Sequence, residues 1–271
     1  MPELPEVETT RRGVSPHIKG ELVTGVIVRE RRLRWPVPKD LAKTLLEQPL
    51  LDVERRAKYL LFRFQRGTLL LHLGMSGHLR VIPADTPVEK HDHLDIVFGN
   101  GQCLRFNDPR RFGSVHWTAR EPLEHPLLEA LGPEPLEDAF DGELLFARSR
   151  KRKLAVKLFI MNAHVVVGVG NIYASEALFL AGIRPGRAAG RVTRKEYARL
   201  ADAIKNVLQR AIAEGGTTLR DFTQPDGNTG YFRIHLNVYG REGEPCRQCA
   251  TPVKHRVMGQ RATYWCPQCQ Q

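Results

Sequence analysis

The amino-acid sequence predicts an α+β fold, and three observations lead to that prediction. Between residues 22 and 117, short runs of β-branched, aromatic and aliphatic residues are separated by turn signals, which is typical of antiparallel strands. Beyond residue 136 the apolar residues recur at helical spacing instead. The last 26 residues contain four cysteines in two Cys-x-x-Cys pairs, which indicates a small metal-binding hairpin.

The cysteine pairs are Cys246 with Cys249 and Cys266 with Cys269, and sixteen residues separate them. Each pair presents two thiolates from one tight turn, and two such turns complete the tetrahedral shell that zinc prefers. The spacing therefore predicts a zinc ribbon with one structural Zn²⁺. Two disulfides are the alternative, but paired thiols in a chain otherwise poor in cysteine are typical of intracellular proteins. Cys103, in a strand-like segment, is expected to be a small buried apolar residue.

Length and charge narrow the class of partner. A chain of 271 residues is long enough for two domains, and a formal net charge of +11 with a sequence pI near 9.7 favours a polyanion such as nucleic acid. Solubility alone is the alternative explanation of the charge. No apolar run reaches the about 18 residues of a membrane helix, and the first residues lack the apolar core of a signal peptide. We expect a cytoplasmic monomer without a membrane segment.

The first residues predict a short helix that begins near Pro5 and ends at Gly13. If Met1 is removed, Pro2 presents a secondary amine with the carboxylate of Glu3 beside it. An α-amine titrates near about 7.7 to 8.0, so part of it is unprotonated and nucleophilic at neutral pH. Most proteins that begin with Met-Pro make no such use of the amine, and the surrounding residues must support the hypothesis.

The β-rich part predicts a sandwich or barrel of mainly antiparallel strands. Three turn-like stretches between the strands, at 55–58, 74–77 and 108–113, place cations or a large apolar residue in a turn. A solvated loop is the ordinary explanation of each stretch. Apolar side chains on loops beside arginines are also what a protein inserts into a base stack. The predicted strands cover residues 22–28, 59–64, 68–73, 93–98, 102–106 and 114–117, with Asn100-Gly101 as a hairpin turn.

Residues 132–136 predict an interdomain link, and helices follow it. A single helix is expected over 144–161, with a charge run that forms either a solvated face or a binding face. The run consists of Arg148, Arg150, Lys151, Arg152, Lys153 and Lys157. A glycine-rich turn at 165–170 then leads into a helix whose first amides could bind a phosphate. A further helix begins at Thr193, with Glu196 completing a capping box, and ends at residue 215. Residues 226–230 predict a loop.

Several motifs occur in one order along the chain. They cover residues 2–9 (Pro-Glu-Leu-Pro-Glu-Val-Glu-Thr), 56–60, 72–77, 90–93, 108–113 and 167–174, followed by the ribbon cysteines. In this combination the chain resembles the bacterial formamidopyrimidine-DNA glycosylases, a family of base-excision repair enzymes, from Pro2 to Cys269.

The resemblance implies three parts of the chain. These are an N-terminal antiparallel β-sandwich catalytic domain flanked by helices at 1–131, a helix-two-turn-helix DNA-binding domain at 136–230, and the zinc ribbon at 231–271. It also implies a DNA glycosylase with AP lyase activity that removes oxidised purines (8-oxoguanine and formamidopyrimidines) from damaged double-stranded DNA. Two alternatives stay open: an endonuclease VIII-like glycosylase for oxidised pyrimidines, and a non-enzymatic zinc-ribbon DNA-binding protein.

The resemblance also implies roles for individual residues. In catalysis, Pro2 attacks the deoxyribose and forms an imine, Glu3 carries the proton, Lys58 is the acid of β-elimination, and Arg261 takes part in δ-elimination. A second group fills the gap and wedges the duplex once the base has left the stack: Met75, Arg110 and Phe112. A third group contacts phosphates or backbone: His91, Arg110, Arg152, Asn171 and Tyr239. Relatives can carry lysine where this chain has Arg152, which changes the geometry of a phosphate contact but keeps its charge.

Overall fold

The computed structural model describes residues 2–215 and 236–271. These residues form two compact units, one with residues 2–129 and Gly215, the other with residues 130–214 and 236–271. The three-part division inferred from the sequence stays a prediction, and the loop predicted at 226–230 lies outside the described residues. Within the described ranges, no helix combines the length and the apolar character needed to cross a membrane.

Helix α1 (Leu4–Ile18) opens the first unit and is longer than the sequence predicted. The predicted end at Gly13 is wrong because Val14 and Ile18 continue the buried face of the helix, with 3% and 0% of their surface exposed. Their burial offsets the roughly 1 kcal/mol that glycine costs inside a helix. Helix α1 packs against strands of both sheets described below, and so joins the N-terminus to the core.

After α1, the first unit contains β1 Val23–Val28, α2 Leu41–Leu45, β2 Leu50–Arg56, β3 Tyr59–Phe64, β4 Gly67–His72, β5 His78–Pro83, β6 Asp92–Phe98, β7 Gln102–Asn107 and β8 Ser114–Thr118, followed by a 3₁₀ turn at Pro122–Glu124. The strands form a sandwich of two four-stranded antiparallel sheets, with strand orders β1-β6-β7-β5 and β2-β3-β4-β8. The six predicted strands are confirmed within a residue or two, and the Asn100-Gly101 turn joins β6 to β7. Strands β2 and β5 and the short helix α2 were missed.

One apolar core lies between the two sheets and beneath helix α1. Alternate residues of strands β3 to β7 enter it, as the period of two in a β-strand requires. Strand β2 was missed because only Leu50 and Val53 of its seven residues enter the core, so its sequence carries little alternation. The larger set of buried apolar residues includes Leu60, Phe62, Phe64, Leu69, Leu71, Leu79, Val81, Leu94, Ile96, Phe98, Leu104 and Phe106.

The second unit is helical, and it corrects one prediction. The single helix expected over 144–161 is two helices, because the Arg150 guanidinium bonds the carbonyls of Phe146, Gly190 and Val192, and Lys151 takes a left-handed backbone conformation with φ +61°. The capping box of Thr193 and Glu196 is confirmed. The helices are α3 Gly142–Ser149, α4 Val156–Ile160, α5 Asn171–Ala181 and α6 Arg194–Ala213, with a 3₁₀ turn at Ala189–Arg191.

The ribbon hairpin consists of β9 (Lys254–Met258) and β10 (Arg261–Trp265), paired antiparallel. Its two turn residues, Gly259 and Gln260, have φ values of +53° and +61°, the left-handed pair that matches the twist of a two-residue hairpin. The predicted ribbon is therefore confirmed. The cysteine pairs flank this hairpin on both sides.

Candidate functional site

The start of helix α1 fixes Pro2 and Glu3. Both residues are buried, with 2% of the Glu3 surface exposed, and the Glu3 amide donates a hydrogen bond of 2.8 Å to the Glu6 carboxylate. A carboxylate in this place also interacts favourably with the positive end of the helix. Met1 lies outside the described residues. The first unit thus holds the candidate amine and its neighbouring carboxylate at one defined point.

Lys58 lies in the two-residue turn between β2 and β3. The preceding residue, Ala57, has φ +55°, an unusual conformation for a residue with a Cβ atom. The Ala57 carbonyl accepts a hydrogen bond of 2.9 Å from Arg55, and the same guanidinium bonds Glu8 of helix α1 at 3.2 Å. The turn that carries Lys58 is therefore tied to the helix that begins beside Pro2.

Glu8 is the centre of this connection, with 8% of its surface exposed. Burial alone would raise the pKa of its carboxyl group, but hydrogen bonds from Arg11 and Arg12, together with the charges of Arg11 and Arg55, lower the pKa to about 2. Arg11 and Arg12 each approach one carboxylate oxygen to 2.8 Å. Glu8 is consequently an anion throughout the neutral pH range, and it remains paired with Arg11, Arg12 and Arg55.

His72 lies opposite Tyr59 on the neighbouring strand, with the two ring centroids 4.8 Å apart. Its Nδ1 atom accepts a hydrogen bond of 2.9 Å from the Gly74 amide. Burial, and then the charges of Lys58 and Arg34, lower its pKa to about 4, so the ring is neutral at neutral pH. A neutral ring is required for Nδ1 to act as this acceptor. His72 thus connects the surroundings of Lys58 to the loop that carries Met75.

Two loops of the first unit carry the residues predicted to enter the duplex. We call residues 74–77, between β4 and β5, the Met75 loop, and residues 108–113, between β7 and β8, the Phe112 loop. Phe112 is 42% exposed, and the Arg110 guanidinium lies 4.7 Å above its ring. Met75 is partly exposed. Met75, Arg110 and Phe112 therefore lie at the surface of the first unit and do not belong to its apolar core.

Strained backbone accompanies these loops. His91, just before β6, has φ +73°, and Arg111 in the Phe112 loop has φ +55°, in addition to Ala57. The His91 carbonyl accepts a hydrogen bond of 3.1 Å from the amide of Asp108, so His91 lies beside the Phe112 loop. Left-handed conformations of residues other than glycine are costly and often accompany functional sites.

In the second unit, Asn171 and Tyr239 lie together at the start of helix α5. The Asn171 side-chain amide donates to the Ala262 carbonyl at 3.0 Å and to the Tyr239 hydroxyl at 3.4 Å. Its Oδ1 atom accepts a hydrogen bond of 2.6 Å from the Lys157 ammonium, and this ammonium also donates a hydrogen bond of 2.8 Å to Thr263 Oγ1. These bonds fix which way the Asn171 amide faces.

Lys157 was predicted to belong to a charged face of the helix, and this prediction is wrong. It is fully buried rather than part of a solvated or binding face, because the acceptors above compensate its charge. The sequence carries a signal for this burial, since Lys157 is the one charged residue among the apolar residues of the segment 154–161.

Glu176 is a second supporting residue that sequence reasoning missed. Its buried carboxylate accepts hydrogen bonds from the backbone amides of Asn237, Val238 and Tyr239 at 2.7 to 3.0 Å. Helix α5 therefore positions the segment that carries Tyr239. Arg152, in the link between α3 and α4, and Arg261, at the start of β10, are exposed.

The four ribbon cysteines form a site that fits one zinc ion. Their sulfur atoms lie within 4.8 Å of one another, with Cys246 and Cys269 3.9 Å apart and Cys249 and Cys266 3.5 Å apart. Tetrahedral zinc with bonds of about 2.3 Å places sulfurs roughly 3.8 Å apart. The cysteines are free thiols, so the disulfide alternative is wrong. Cys103 is buried as predicted, and burial raises the pKa of its thiol to about 12.

Comparisons with known families match most of the chain. Residues 1–115 match the formamidopyrimidine-DNA glycosylase N-terminal domain, residues 131–223 match the formamidopyrimidine-DNA glycosylase H2TH domain, and residues 243–271 match a zinc finger found in FPG and IleRS. The formamidopyrimidine-DNA glycosylases of Thioalkalivibrio sulfidiphilus and Nitrosococcus oceani are 63% and 60% identical to this chain over 270 residues, with a coverage of 100% of this chain and of each relative.

Solved structures agree with these matches. The MutM (Fpg) protein of Thermus thermophilus superimposes with a TM-score of 0.88 at 39% identity, covering 99% of this chain and 98% of that one. The Lactococcus lactis Fpg in complex with DNA containing an abasic site gives a TM-score of 0.92 at 34% identity over both full chains. A two-unit α+β protein with an N-terminal β-sandwich and a C-terminal zinc ribbon is thus defined. The chain belongs to the formamidopyrimidine-DNA glycosylase family.

Proposed function

We propose that this protein is a DNA glycosylase and AP lyase of base-excision repair that removes oxidised purines from damaged duplex DNA. The observation that carries the proposal is the anchoring of Pro2 and Glu3 at the start of α1, with the Lys58 turn tied to the same helix by Glu8 and Arg55. Relatives named formamidopyrimidine-DNA glycosylases, and the Lactococcus lactis Fpg solved with DNA containing Fapy-dG, support the substrate class.

The chemistry begins at the Pro2 amine after Met1 has been removed. The nitrogen forms a bond to C1′ of the damaged nucleotide, the bond from C1′ to the base breaks, and the base leaves with the bonding electrons and takes up a proton. The Pro2 nitrogen then loses its proton to Glu3, and Glu3 protonates the ring oxygen of the sugar as the bond from C1′ to that oxygen breaks. The ring opens, which leaves an iminium ion between Pro2 and C1′. A secondary amine suits this step because it is partly unprotonated at neutral pH.

The iminium ion then makes strand cleavage possible. It withdraws electrons from the sugar, so a proton at C2′ can be removed and the 3′ phosphate leaves in β-elimination, for which Lys58 supplies the acid. Loss of a proton at C4′ and departure of the 5′ phosphate complete δ-elimination, in which Arg261 takes part. Water as nucleophile would release the base but give no iminium ion, and hence no cleavage of this kind.

Binding is divided between the two units. On the first unit Met75, Arg110 and Phe112 occupy the space that the extruded nucleotide leaves, and His91 contacts the backbone. On the second unit Arg152, Asn171 and Tyr239 contact phosphates. Phosphate contacts position the protein on the duplex without reading its sequence.

Zinc has a structural role in this proposal. Four cysteines fill its shell, so no coordination position is open for an activated water molecule. When bound, the ion supplies a rigid hairpin that presents Arg261 on β10.

We propose a cytoplasmic location and a monomeric state, in keeping with the sequence predictions.

Cleavage assays test the function and separate it from both alternatives. Duplexes that contain 8-oxoguanine, an oxidised pyrimidine or a preformed abasic site are incubated with the purified protein. The proposal expects release of 8-oxoguanine in preference to the pyrimidine, and a one-nucleotide gap flanked by two phosphates. Preference for the pyrimidine would favour the endonuclease VIII-like alternative, and binding without any cleavage would favour the non-enzymatic one.

A further inference from the structure

We propose that Asp108 is a positioning residue that locks the Met75 loop and the Phe112 loop together, so that they enter the duplex as one rigid wedge. The inference rests on the proposed function and deepens it, since it concerns how the wedge is held rather than what it does. It assigns no catalytic step to Asp108.

The Asp108 carboxylate bridges the two loops. It is fully buried, and one oxygen accepts a hydrogen bond of 2.6 Å from the Ser76 hydroxyl in the Met75 loop. The other oxygen accepts a hydrogen bond of 2.8 Å from the amide of Gly113, at the end of the Phe112 loop. The Ser76 hydroxyl oxygen in turn accepts a hydrogen bond of 3.2 Å from the amide of Arg110. A chain of three hydrogen bonds therefore runs from one loop to the other and back.

Glycines bring the two loops into direct backbone contact. A Cβ atom at Gly74, which has φ +69°, would lie 2.4 Å from the Gly113 nitrogen and 2.4 Å from the Phe112 carbonyl carbon. A Cβ atom at Gly113 would lie 2.6 Å from the Phe106 ring and 2.8 Å from the His72 carbonyl oxygen. No side chain fits at either position without displacing backbone. The backbones of the two loops are consequently in close contact at Gly74.

Asp108 also connects the loops to the sheet behind them. Its amide donates to the His91 carbonyl at 3.1 Å, and its carbonyl oxygen lies 2.8 Å from His93 Nε2. When Nε2 carries the proton, His93 donates this hydrogen bond. The carboxylate is thus fixed at its backbone as well as at its side chain, and it lies beside His91, a proposed backbone contact.

A locked pair of loops has a specific advantage for extrusion of a base. The wedge replaces stacking and pairing that the duplex loses, and loops that must first become ordered would offset part of that gain with lost conformational entropy. The advantage applies only where a stacked and paired nucleotide has to leave the helix. A preformed abasic site has no base to extrude, so its cleavage depends far less on the wedge.

The test uses Ser76→Ala, Asp108→Asn and the double variant, with Asp85→Asn as the control. Asp85 is exposed in the connection between β5 and β6, and its substitution changes the charge by the same amount. Single-turnover rates are measured on an 8-oxoguanine duplex and on a duplex with a preformed abasic site. Hydrogen exchange of peptides from both loops and a melting curve are recorded for each variant.

We expect both single variants to lose about tenfold or more in rate on the 8-oxoguanine duplex, since each breaks a hydrogen bond to a buried charged group. On the abasic duplex the loss should be no more than about twofold, and the double variant should lose little more than the worse single one because both break the same link. Amides of both loops should exchange faster together. The control should behave as the wild-type protein does.

Equal losses on both substrates would overturn the inference, because they would indicate a general loss of structure. Faster exchange confined to one loop would overturn it as well. If the wild-type protein and Asp85→Asn release no 8-oxoguanine, the proposed function fails. If they release it and Ser76→Ala is as fast as the wild type on both duplexes, only the locking role fails.

Discussion

The Nε atom of Arg55, at the end of β2, lies 3.2 Å from a carboxylate oxygen of Glu8 on helix α1. Arg55 also holds the carbonyl of Ala57, whose neighbour is Lys58. The pair therefore joins the element that positions the proposed nucleophile to the turn that positions the proposed acid. Reactions of this kind are sensitive to placement, and an error of about 1 Å can cost roughly a hundredfold in rate.

We predict that Glu8→Gln lowers both stability and strand cleavage. The pKa of Glu8 in the folded state is about 2, which is below its ordinary value of 4.5. The ionised carboxylate therefore stabilises the fold fully above pH 4.5, and this contribution is lost as the pH falls towards 2. At pH 7 the variant should lose about 2 kcal/mol of unfolding free energy, after allowance for partial solvation. The difference from the wild type should vanish during acid titration. Cleavage of an abasic duplex should fall about tenfold.

Glu196→Gln is the matched control for that prediction. Burial would raise the pKa of Glu196, but hydrogen bonds from Arg187 and from the amide and hydroxyl of Thr193 lower it to about 2. Glu196 belongs to the second unit and caps helix α6. The control should lose stability with the same acid dependence and keep its cleavage rate per folded molecule. Equal loss of cleavage in both variants would contradict a special role for the link from Glu8 to Arg55.

Zinc removal should abolish DNA binding without touching the catalytic groups of the first unit. We expect Cys249→Ser to lower the zinc content from one ion per chain to none and to abolish binding to a damaged duplex, since structural zinc sites supply folding free energy directly. Metal analysis and a binding titration measure the two effects. Cys103→Ala should keep its zinc, since Cys103 is not a ligand. Normal binding by a zinc-free variant would show that the ribbon is dispensable.

Features set by neighbouring residues were predictable from the sequence. The capping box at Thr193 and the Asn100-Gly101 turn depend on residues only a few positions apart, and the structure confirms them. The ribbon, also confirmed, depends on two Cys-x-x-Cys pairs separated by sixteen residues. The break between α3 and α4 was not predictable, because Arg150 ends the helix through carbonyls 40 and 42 positions away. Burial of Lys157 likewise depends on acceptors more than 100 positions along the chain.

The site followed the same rule. Motif resemblance suggested the residues that we propose to contact DNA, but it did not reveal the residues that hold them in place. Asp108, Glu8 and Glu176 each act through contacts that exist only once the chain is folded. Supporting residues of this kind have no local sequence pattern, and the folded structure is needed to find them.

Phe112→Ala tests the wedge itself. Its ring is 42% exposed, so truncation should cost less than about 1 kcal/mol of stability, in contrast to the 3 to 5 kcal/mol or so for a core phenylalanine. Release of 8-oxoguanine from a paired duplex should fall far more than cleavage of a preformed abasic site. Kinetics on the two duplexes and a melting curve check this expectation. A lowered melting temperature with equal loss on both substrates would reject the wedge.

The central claim is that the Pro2 amine forms the covalent intermediate. Reduction with borohydride during reaction converts an iminium ion into a stable bond, so the protein becomes linked to abasic DNA. Intact mass first establishes that Met1 is absent, and peptide mapping then locates the adduct. We predict an adduct on Pro2, a weaker one with Pro2→Gly, and none when Met1 is retained. Equal trapping with Met1 retained, or an adduct on Lys58, would contradict the account.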